Sequence, residues 1–223
     1  LSPASGIDLE PNGNSRKNVN TIIDHNKFND NASGDIFLIG QRAFIEYNTF
    51  SQGERVCYND APFVPKAQNS SFLFYRNKFE KFSWGVGCSP WMICSYDYIS
   101  RYVPDINEQP STNFFVGNEF IATVRPLLNF RNRFCVKDNV FRSDGETKPG
   151  VSQIAAVKDL RLINNRVEDF RPNKTPIKKA WWLTSVRGRA SGNVICSLDS
   201  DGKQVCKEET GVNAMTTDEL FNY

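Results

Sequence analysis

The sequence predicts an all-β fold in which parallel strands stack as a solenoid. One short pattern recurs seven times: an apolar stretch, then Asn, any residue, and a second apolar residue. The positions around each Asn alternate between apolar and mixed, with the period of two that marks strands with one buried face. The apolar positions are rich in Phe, Ile and Val, the residues that strands favour. A helix would require apolar residues at spacings of three and four instead.

Each copy of the pattern is centred on one Asn, and successive Asn lie 22, 29, 41, 21, 26 and 28 positions apart. A motif that returns at such intervals is typical of a solenoid, in which each copy is a structural unit stacked on its neighbour. A frequent turn in an all-β sandwich is the competing explanation, but it does not account for seven copies with matched flanks. The central residues are Asn26, Asn48, Asn77, Asn118, Asn139, Asn165 and Asn193.

The residues flanking each Asn indicate which side chains face inward. The residue three positions before the Asn is apolar in every copy, and so is the residue two positions after it, which is Phe in five copies. The Asn itself lies where the chain must bend, and we expect it to adopt the left-handed conformation that Asn tolerates. Stacking would place these side chains about 4.8 Å apart, close enough for their amides to hydrogen-bond along the stack.

A third short strand precedes each Asn unit. Three parallel strands per coil, repeated over about seven coils, make a right-handed parallel β-helix. The candidate third strands are residues 6–10, 35–39, 55–58, 84–86, 127–130, 153–156 and 181–184. We assign residues 1–196 to the β-helix, with loop insertions near 59–70, 88–111, 143–152 and 171–179. Residues 197–223 then form a polar C-terminal tail or cap, with a short terminal helix expected over Met215 to Tyr223.

Two stretches carry a family resemblance. They resemble the repeat sequences of the pectate-lyase-like superfamily, most closely those of bacteriophage tailspike and polysaccharide depolymerase β-helices. The stretches are Gly6-Ile7-Asp8-Leu9-Glu10-Pro11-Asn12 and Ile22-Ile23-Asp24-His25-Asn26-Lys27-Phe28. The resemblance covers residues 6 to about 196 and is specific for fold more than for activity. It implies a homotrimer whose long grooves cut a polysaccharide endolytically.

The composition of the chain limits the kinds of partner that it can bind. The formal charge is +2 with acidic and basic residues intermixed, whereas nucleic-acid binding requires at least a basic stripe. No apolar run approaches the roughly 18 residues that span a membrane, and no signal peptide is recognisable. The chain begins directly at a repeat unit, so we expect it to be a fragment or the distal part of a longer polypeptide. The sequence therefore predicts neither a nucleic-acid partner nor membrane insertion.

The six cysteines leave their redox state open. Cys135 falls inside a predicted repeat unit, where a thiol behaves as a small apolar residue. Cys88 with Cys94, or Cys196 with Cys206, could close a local disulfide in an oxidising compartment, whereas reduced thiols suit assembly in a bacterial cytoplasm. With a single His and no zinc-ligand spacing, the sequence predicts no metal site and no cofactor.

Candidate catalytic residues come from outward positions of the predicted third strands. In the first of these strands Ile7 and Leu9 face the core, so Asp8 and Glu10 point outward together, roughly 6.5–7 Å apart at the backbone. Such a pair suits glycoside hydrolysis, in which one carboxylic acid protonates the leaving oxygen and another carboxylate activates water or attacks. Ordinary solvated strand residues would show the same pattern, and that interpretation stays open.

Further polar residues flank the third strands of the next two units, which should stack above Asp8 and Glu10 and share one groove. Acidic and guanidinium groups that share a groove shift one another's pKa values. Each residue alone is also explained as part of the solvated surface. The additional catalytic candidates are Asp35, Glu54 and Asp60, with Arg55 as a substrate-binding candidate.

Aromatic side chains supply candidate sugar-binding positions, because aromatic faces contact the apolar faces of pyranose rings. The candidates are Trp84, Trp91, Trp181 and Trp182, each of which core packing would also explain. Trp181 and Trp182 are adjacent on a predicted strand, so one should face the core and the other the outside.

The function predicted first is a carbohydrate-active β-helix that binds and cleaves a bacterial capsule or O-antigen polysaccharide as an endo-glycosidase. It would reside on a virion tail fibre or spike, or be secreted. A non-enzymatic carbohydrate-binding or adhesive β-helix is the first alternative, and a secreted uronate lyase or epimerase is the second. Hydrolysis ranks ahead of elimination because the sequence has no compact Asp cluster for the cation that neutralises a uronate.

Overall fold

Strands make up all the regular structure in the described part of the chain, which contains no helix. The computed structural model describes residues 6–9, 19–31, 35–39, 41–52, 56–59, 72–81, 86–87, 112–123, 126–129, 133–149, 152–155, 160–177, 181–184 and 188–209. The strands are numbered β1 to β22 in chain order and belong to three sheets, here called A, B and C.

Sheet A contains the strands predicted to precede each Asn unit. Its order is β1 (Ile7–Leu9), β4 (Ile36–Ile39), β7 (Val56–Asn59), β10 (Val86–Gly87), β13 (Leu127–Asn129), β16 (Ser152–Ala155) and β19 (Trp181–Thr184). All neighbours in the sheet are parallel. Each of the seven predicted third strands therefore overlaps an observed strand; four contain it whole, and the predicted 84–86 shares Val86 with it.

Sheet B contains the strands that lead into each Asn. Its order is β2 (Val19–Asp24), β5 (Gln41–Glu46), β8 (Phe72–Tyr75), β11 (Thr112–Val116), β14 (Arg133–Lys137), β17 (Leu160–Ile163) and β20 (Gly188–Ser191). These strands are also parallel and in register, so that residues three before successive Asn lie side by side.

Sheet C contains the strands that follow each Asn. Its parallel part is β3 (Lys27–Asn29), β6 (Thr49–Ser51), β9 (Lys78–Glu80), β12 (Glu119–Ile121), β15 (Val140–Arg142), β18 (Arg166–Asp169) and β21 (Val194–Leu198). The last strand, β22 (Gln204–Glu208), pairs antiparallel with β21, the one antiparallel pairing among the described strands. The fold is therefore all-β, and the chain visits sheets A, B and C in turn.

The core is built from columns of like side chains, because parallel in-register pairing places equivalent residues of successive copies side by side. The rings of Phe28, Phe50, Phe79, Phe120 and Phe141 stack nearly parallel, with centroids 4.6–4.9 Å apart. A second column pairs Phe74 with Phe115 at 4.7 Å. The predicted inward positions are thus confirmed as core in the first six copies, and Ala190 and Ile195 of the last copy are partly buried against that core.

The seven Asn side chains form a continuous hydrogen-bonded ladder between sheets B and C. From Asn26 to Asn165, each Nδ2 donates to the Oδ1 of the next Asn at 2.9–3.1 Å. From Asn48 to Asn193, each Nδ2 also donates to a backbone carbonyl of the preceding copy at 2.7–2.9 Å. Each Oδ1 from Asn48 onward also accepts a backbone N–H at 2.8–3.1 Å. Only an amide offers both donors and an acceptor here, which explains why every copy has Asn.

The predicted corner conformation was wrong in one respect. The left-handed residue is the one before each Asn, and no ladder Asn has a positive φ. This leaves the Asn side chain free to point inward, while the left-handed residue turns outward and donates its N–H to the carbonyl before the next corner. The left-handed residues are His25, Tyr47, Arg76, Gly117, Asp138, Asn164 and Gly192, here called the corner row.

A hairpin closes the described part of the chain. Strands β21 and β22 face each other with Cys196 opposite Cys206, and a disulfide joins the two residues. Their tight turn is held by Asp199, whose Oδ1 accepts the N–H groups of Asp201 and Lys203. The 88–111 insertion, the rest of the 59–70 insertion beyond Asn59, and the helix expected at 215–223 lie outside the described residues.

Candidate functional site

The sequence-predicted site residues are only partly described. Glu10, Glu54, Arg55, Asp60, Trp84 and Trp91 lie outside the described residues. Trp181 and Trp182 are consecutive residues of β19, paired in register with Ser152 and Gln153. Asp8 is the middle residue of β1, and Asp35 immediately precedes β4.

Asp8 and Asp35 come from neighbouring strands of sheet A but are not in register. Asp8 pairs with Phe37, while the Asp35 carbonyl accepts the N–H of Ile7 at 2.9 Å. The two aspartates are therefore offset by about two residues, which puts their Cα atoms roughly 8 Å apart for a strand spacing of about 4.8 Å. That backbone separation lies within the reach of two carboxyl groups that act on one glycosidic bond.

Asp35 is a buried carboxyl with one satisfied oxygen. Its Oδ1 accepts a hydrogen bond from Asn31 Nδ2 at 2.5 Å, and its Oδ2 has no hydrogen-bond partner among the described residues. Burial raises the pKa of Asp35 from 3.8 to about 6, and the hydrogen bond from Asn31 acts in the opposite direction. The backbone of Gly6 packs closely against the backbone of Asp35: a Cβ atom added to Gly6 would lie 2.9 Å from the Asp35 carbonyl oxygen.

This burial predicts a pH-dependent stability. The pKa of Asp35 is about 6 in the folded chain and near 3.8 in the unfolded chain, so its contribution to stability is complete below pH 3.8 and is lost as pH rises to 6. The loss amounts to about 3 kcal/mol at neutral pH. We expect Asp35→Asn to be more stable than the parent at pH 7.5, by about 1–3 kcal/mol, and nearly equal at pH 4. Denaturant unfolding at pH 4, 5, 6 and 7.5 measures both values.

Asp144 has a pKa shift in the opposite direction to that of Asp35. Asp144 is exposed, and its Oδ1 accepts the N–H groups of Glu146 and Thr147, which lowers its pKa. The contribution of Asp144 to the free energy of unfolding is therefore lost only below about pH 4, outside the range of pH 4 to 6 in which Asp35 acts. Asp144→Asn should keep the parent's slope between pH 4 and 6. If Asp35→Asn also kept that slope, Asp35 would not be the titrating group.

Sequence reasoning missed a surface feature at the corner between sheets B and C. The His25 and Tyr47 rings stack with centroids 5.0 Å apart, and Tyr47 and Tyr75 meet edge to face with centroids 5.6 Å apart. The guanidinium of Arg76 lies over the Tyr75 ring at 5.1 Å. Tyr47 is 40% exposed. Together these side chains form an exposed aromatic surface with cationic and imidazole groups at its edges, here called the aromatic corner.

Carboxylates border the aromatic corner. Asp24 Oδ2 lies 3.1 Å from His25 Nδ1, and Asp24 is in register with Glu46 on the next strand. Aromatic faces flanked by carboxylate, imidazole and guanidinium groups can stack on a sugar ring and hydrogen-bond to its hydroxyls. A signal in the sequence was available: the residue before the Asn is Gly, Asp or Asn in four copies, which marks it as the left-handed, outward position.

No protein-family model, curated protein or solved structure matches this chain. Its chemistry is therefore inferred from its own side chains. Within the described ranges, no helix has the length and apolar character that a membrane crossing requires. The same ranges hold no group of three His, Cys, Asp or Glu side chains arranged to bind a metal ion.

Proposed function

We propose that the chain is a right-handed parallel β-helix of seven coils that binds a bacterial surface polysaccharide on its outer surface. Right-handedness follows from a general rule, because about 98% of crossovers between parallel strands of one sheet have that hand. The observation that carries the binding proposal is the aromatic corner, in which His25 and Tyr47 stack beside Tyr75 and the exposed carboxylate of Asp24. An exposed aromatic surface on a soluble fold marks a binding site.

The ligand class follows from the chemistry of this corner. The His25 side chain is 71% exposed and Tyr47 is 40% exposed, and the ring surface that they leave to solvent suits the apolar face of a pyranose. Planar donors such as Arg76 and acceptors such as Asp24 suit vicinal hydroxyl groups around the ring edge. Because equivalent corners repeat about every 4.8 Å along the sheets, an extended polymer fits the row better than a single sugar does.

Binding is tested with Tyr47→Ala. We expect the dissociation constant for the cognate polymer to rise at least about fivefold, because a stacking contact contributes about 1 kcal/mol. Gln52→Ala is the matched control, since Gln52 is exposed and has the same φ of 55° at the other end of β6. Calorimetric titration against capsular and O-antigen polysaccharides gives both values. Equal losses in the two variants, or no binding by any polymer, would contradict the proposal.

Hydrolysis is the reaction that a buried carboxyl such as Asp35 suits, but Asp35 lies at the corner between sheets C and A, so the polymer must also reach that corner beyond the aromatic corner between sheets B and C. A carboxyl with a pKa near 6 keeps its proton up to about pH 6, two pH units higher than an ordinary aspartic acid, as suits the general acid of a glycosidase. Asp8, on the adjacent strand, is the candidate second carboxylate. Release of reducing ends without absorbance from unsaturated uronate would identify a hydrolase, and both signals together would identify a lyase. Neither signal from a bound polymer favours a binding protein or an epimerase.

Two substitutions connect this reaction to its residues. Asp35→Asn and Asp8→Asn should each lower the rate of reducing-end release at least about 100-fold while leaving polymer binding within about twofold of the parent. Full activity in either variant would remove that aspartate as a catalyst.

A further inference from the structure

The outer face of sheet B carries a row of apolar side chains that continues across five strands. Ile22, Phe44 and Phe114 are 64%, 42% and 37% exposed, although such residues are usually buried. Leu73 and Cys135 fill the intervening and following positions and are partly exposed. Register places each of these residues beside the next one on the neighbouring strand. A continuous exposed apolar row of this kind marks a protein–protein contact.

Charged residues occupy the two ends of the same face. Asp24 and Glu46 lie on the first two strands, β2 and β5. Arg161 and Arg189 lie on the last two strands, β17 and β20, and extend the apolar row itself. In the described side chains of this row and the next outward row, acidic groups are confined to one end and basic groups to the other.

We propose that this face is a dimer interface, and that its occupant is a second copy of the chain in antiparallel orientation. The two-fold axis runs parallel to the strands, between the two copies and directly over β11. Rotation about this axis reverses the order of the partner's strands. That operation places β2 opposite the partner's β20, and β5 opposite the partner's β17. Acidic and basic ends then meet twice in each dimer. Ile22 faces the partner's Arg189 and Phe44 faces the partner's Arg161, so the aliphatic stems of the arginines cover the apolar side chains while their guanidinium groups reach Asp24 and Glu46, two residues further along the strands. Phe114 meets its own copy on the axis. A parallel arrangement would instead oppose like charges.

The size of the face predicts a reversible association. Seven strands at about 4.8 Å spacing give a length of about 29 Å. Two outward rows, each about 6.6 Å wide along the strands, give roughly 400 Å² on each copy, or about 800 Å² in total. That area lies below the roughly 1,200 Å² at which standard specific interfaces start, so the dimer should be weak and dissociate at micromolar or higher concentrations. Because charge pairs flank the apolar row, raising the salt concentration should weaken the dimer. The contact shares Asp24 and Tyr75 with the aromatic corner, but the inference does not rest on polymer binding there.

The molar mass of the full chain, measured by light scattering across the micromolar range, tests the proposal. We expect the mass to rise from one chain to two with concentration. Phe114→Asp should raise the dissociation constant at least about tenfold, because the substitution occurs twice at the centre of the contact. Val205→Asp is the control: Val205 is 41% exposed on β22, in sheet C, and its replacement should leave the mass unchanged. A constant one-chain mass, or the three-chain mass that the resemblance implies, would overturn the proposal.

Charge reversal tests the orientation and does not depend on Phe114. One variant carries Arg161→Glu and Arg189→Glu, and the other carries Asp24→Lys and Glu46→Lys. Each alone should remain monomeric, and their equimolar mixture should form a two-chain species. Thermal melts of the separate variants show that they fold. Dimers of either variant alone at the parent's affinity, or a mixture that stays monomeric, would overturn the antiparallel arrangement.

Discussion

Replacing Asn118 with Ala should lower the free energy of unfolding by about 3–5 kcal/mol. Asn118 is 1% exposed and lies in the middle of the ladder. Its Nδ2 donates to the Phe74 carbonyl at 2.9 Å and to Asn139 Oδ1 at 3.0 Å, while its Oδ1 accepts both the backbone N–H and the Nδ2 of Asn77. Alanine removes all four bonds and leaves the Asn77 N–H buried without its acceptor.

The matched control is the first Asn of the ladder. Asn26 is exposed, and its Nδ2 donates to Asn48 Oδ1 and to the Asp24 carbonyl. Water can replace those contacts, so Asn26→Ala should cost at most about 1 kcal/mol. Urea unfolding followed by circular dichroism measures both variants. Equal losses at the two positions would mean that burial in the ladder adds nothing to the amide contacts.

An Asp at position 118 separates the shape of the side chain from its donors. Asn118→Asp keeps the volume and one acceptor oxygen, but it turns a second oxygen toward two acceptors, the Phe74 carbonyl and Asn139 Oδ1. The variant should therefore be at least as unstable as Asn118→Ala at pH 7. It should recover part of the loss in acid, where protonation restores one donor. A variant within about 1 kcal/mol of the parent at pH 7 would show that the amide donors are dispensable.

The internal columns were predictable because each depends on a local pattern that repeats. Apolar residues at fixed distances from an Asn, in strands of period two, can be buried together only if the copies stack in register. The Phe column from Phe28 to Phe141 and the Asn ladder confirm that inference. The corner was misassigned because Asn tolerates a positive φ and was the obvious candidate. A buried Asn contributes more hydrogen bonds than a corner Asn does, so the preceding residue carries the turn.

The candidate sites were less predictable because they depend on contacts between copies. Asp35 was grouped with outward residues of a groove, yet it is buried and hydrogen-bonded to Asn31, four residues earlier. No periodic pattern distinguishes a polar residue that turns inward at a corner from one that faces water. The aromatic corner was missed for a similar reason. Its members come from different copies, and only register brings Tyr47 between His25 and Tyr75.

Replacing Phe79 with Ala should lower the free energy of unfolding by about 3–5 kcal/mol. The Phe79 ring is fully buried and stacked between Phe50 at 4.6 Å and Phe120 at 4.8 Å, with interplanar angles of 4° and 6°. Alanine leaves a ring-sized cavity that the two neighbours cannot fill, because parallel strands on both sides fix their spacing. Phe79→Leu, which keeps most of the volume, should cost about 1–2 kcal/mol.

The end of the same column provides the control and a stronger test. Within the described ranges Phe28 stacks on a single ring, that of Phe50, and it is 8% exposed, so Phe28→Ala should cost roughly half as much as Phe79→Ala. In stacked repeats each copy contacts only its neighbours, so a cavity in the middle weakens the coupling between the two halves of the chain. Phe79→Ala should therefore broaden the urea transition or split it in two, whereas Phe28→Ala should leave it single. Equal costs and a single sharp transition in both variants would contradict the role of Phe79 as the link between the halves.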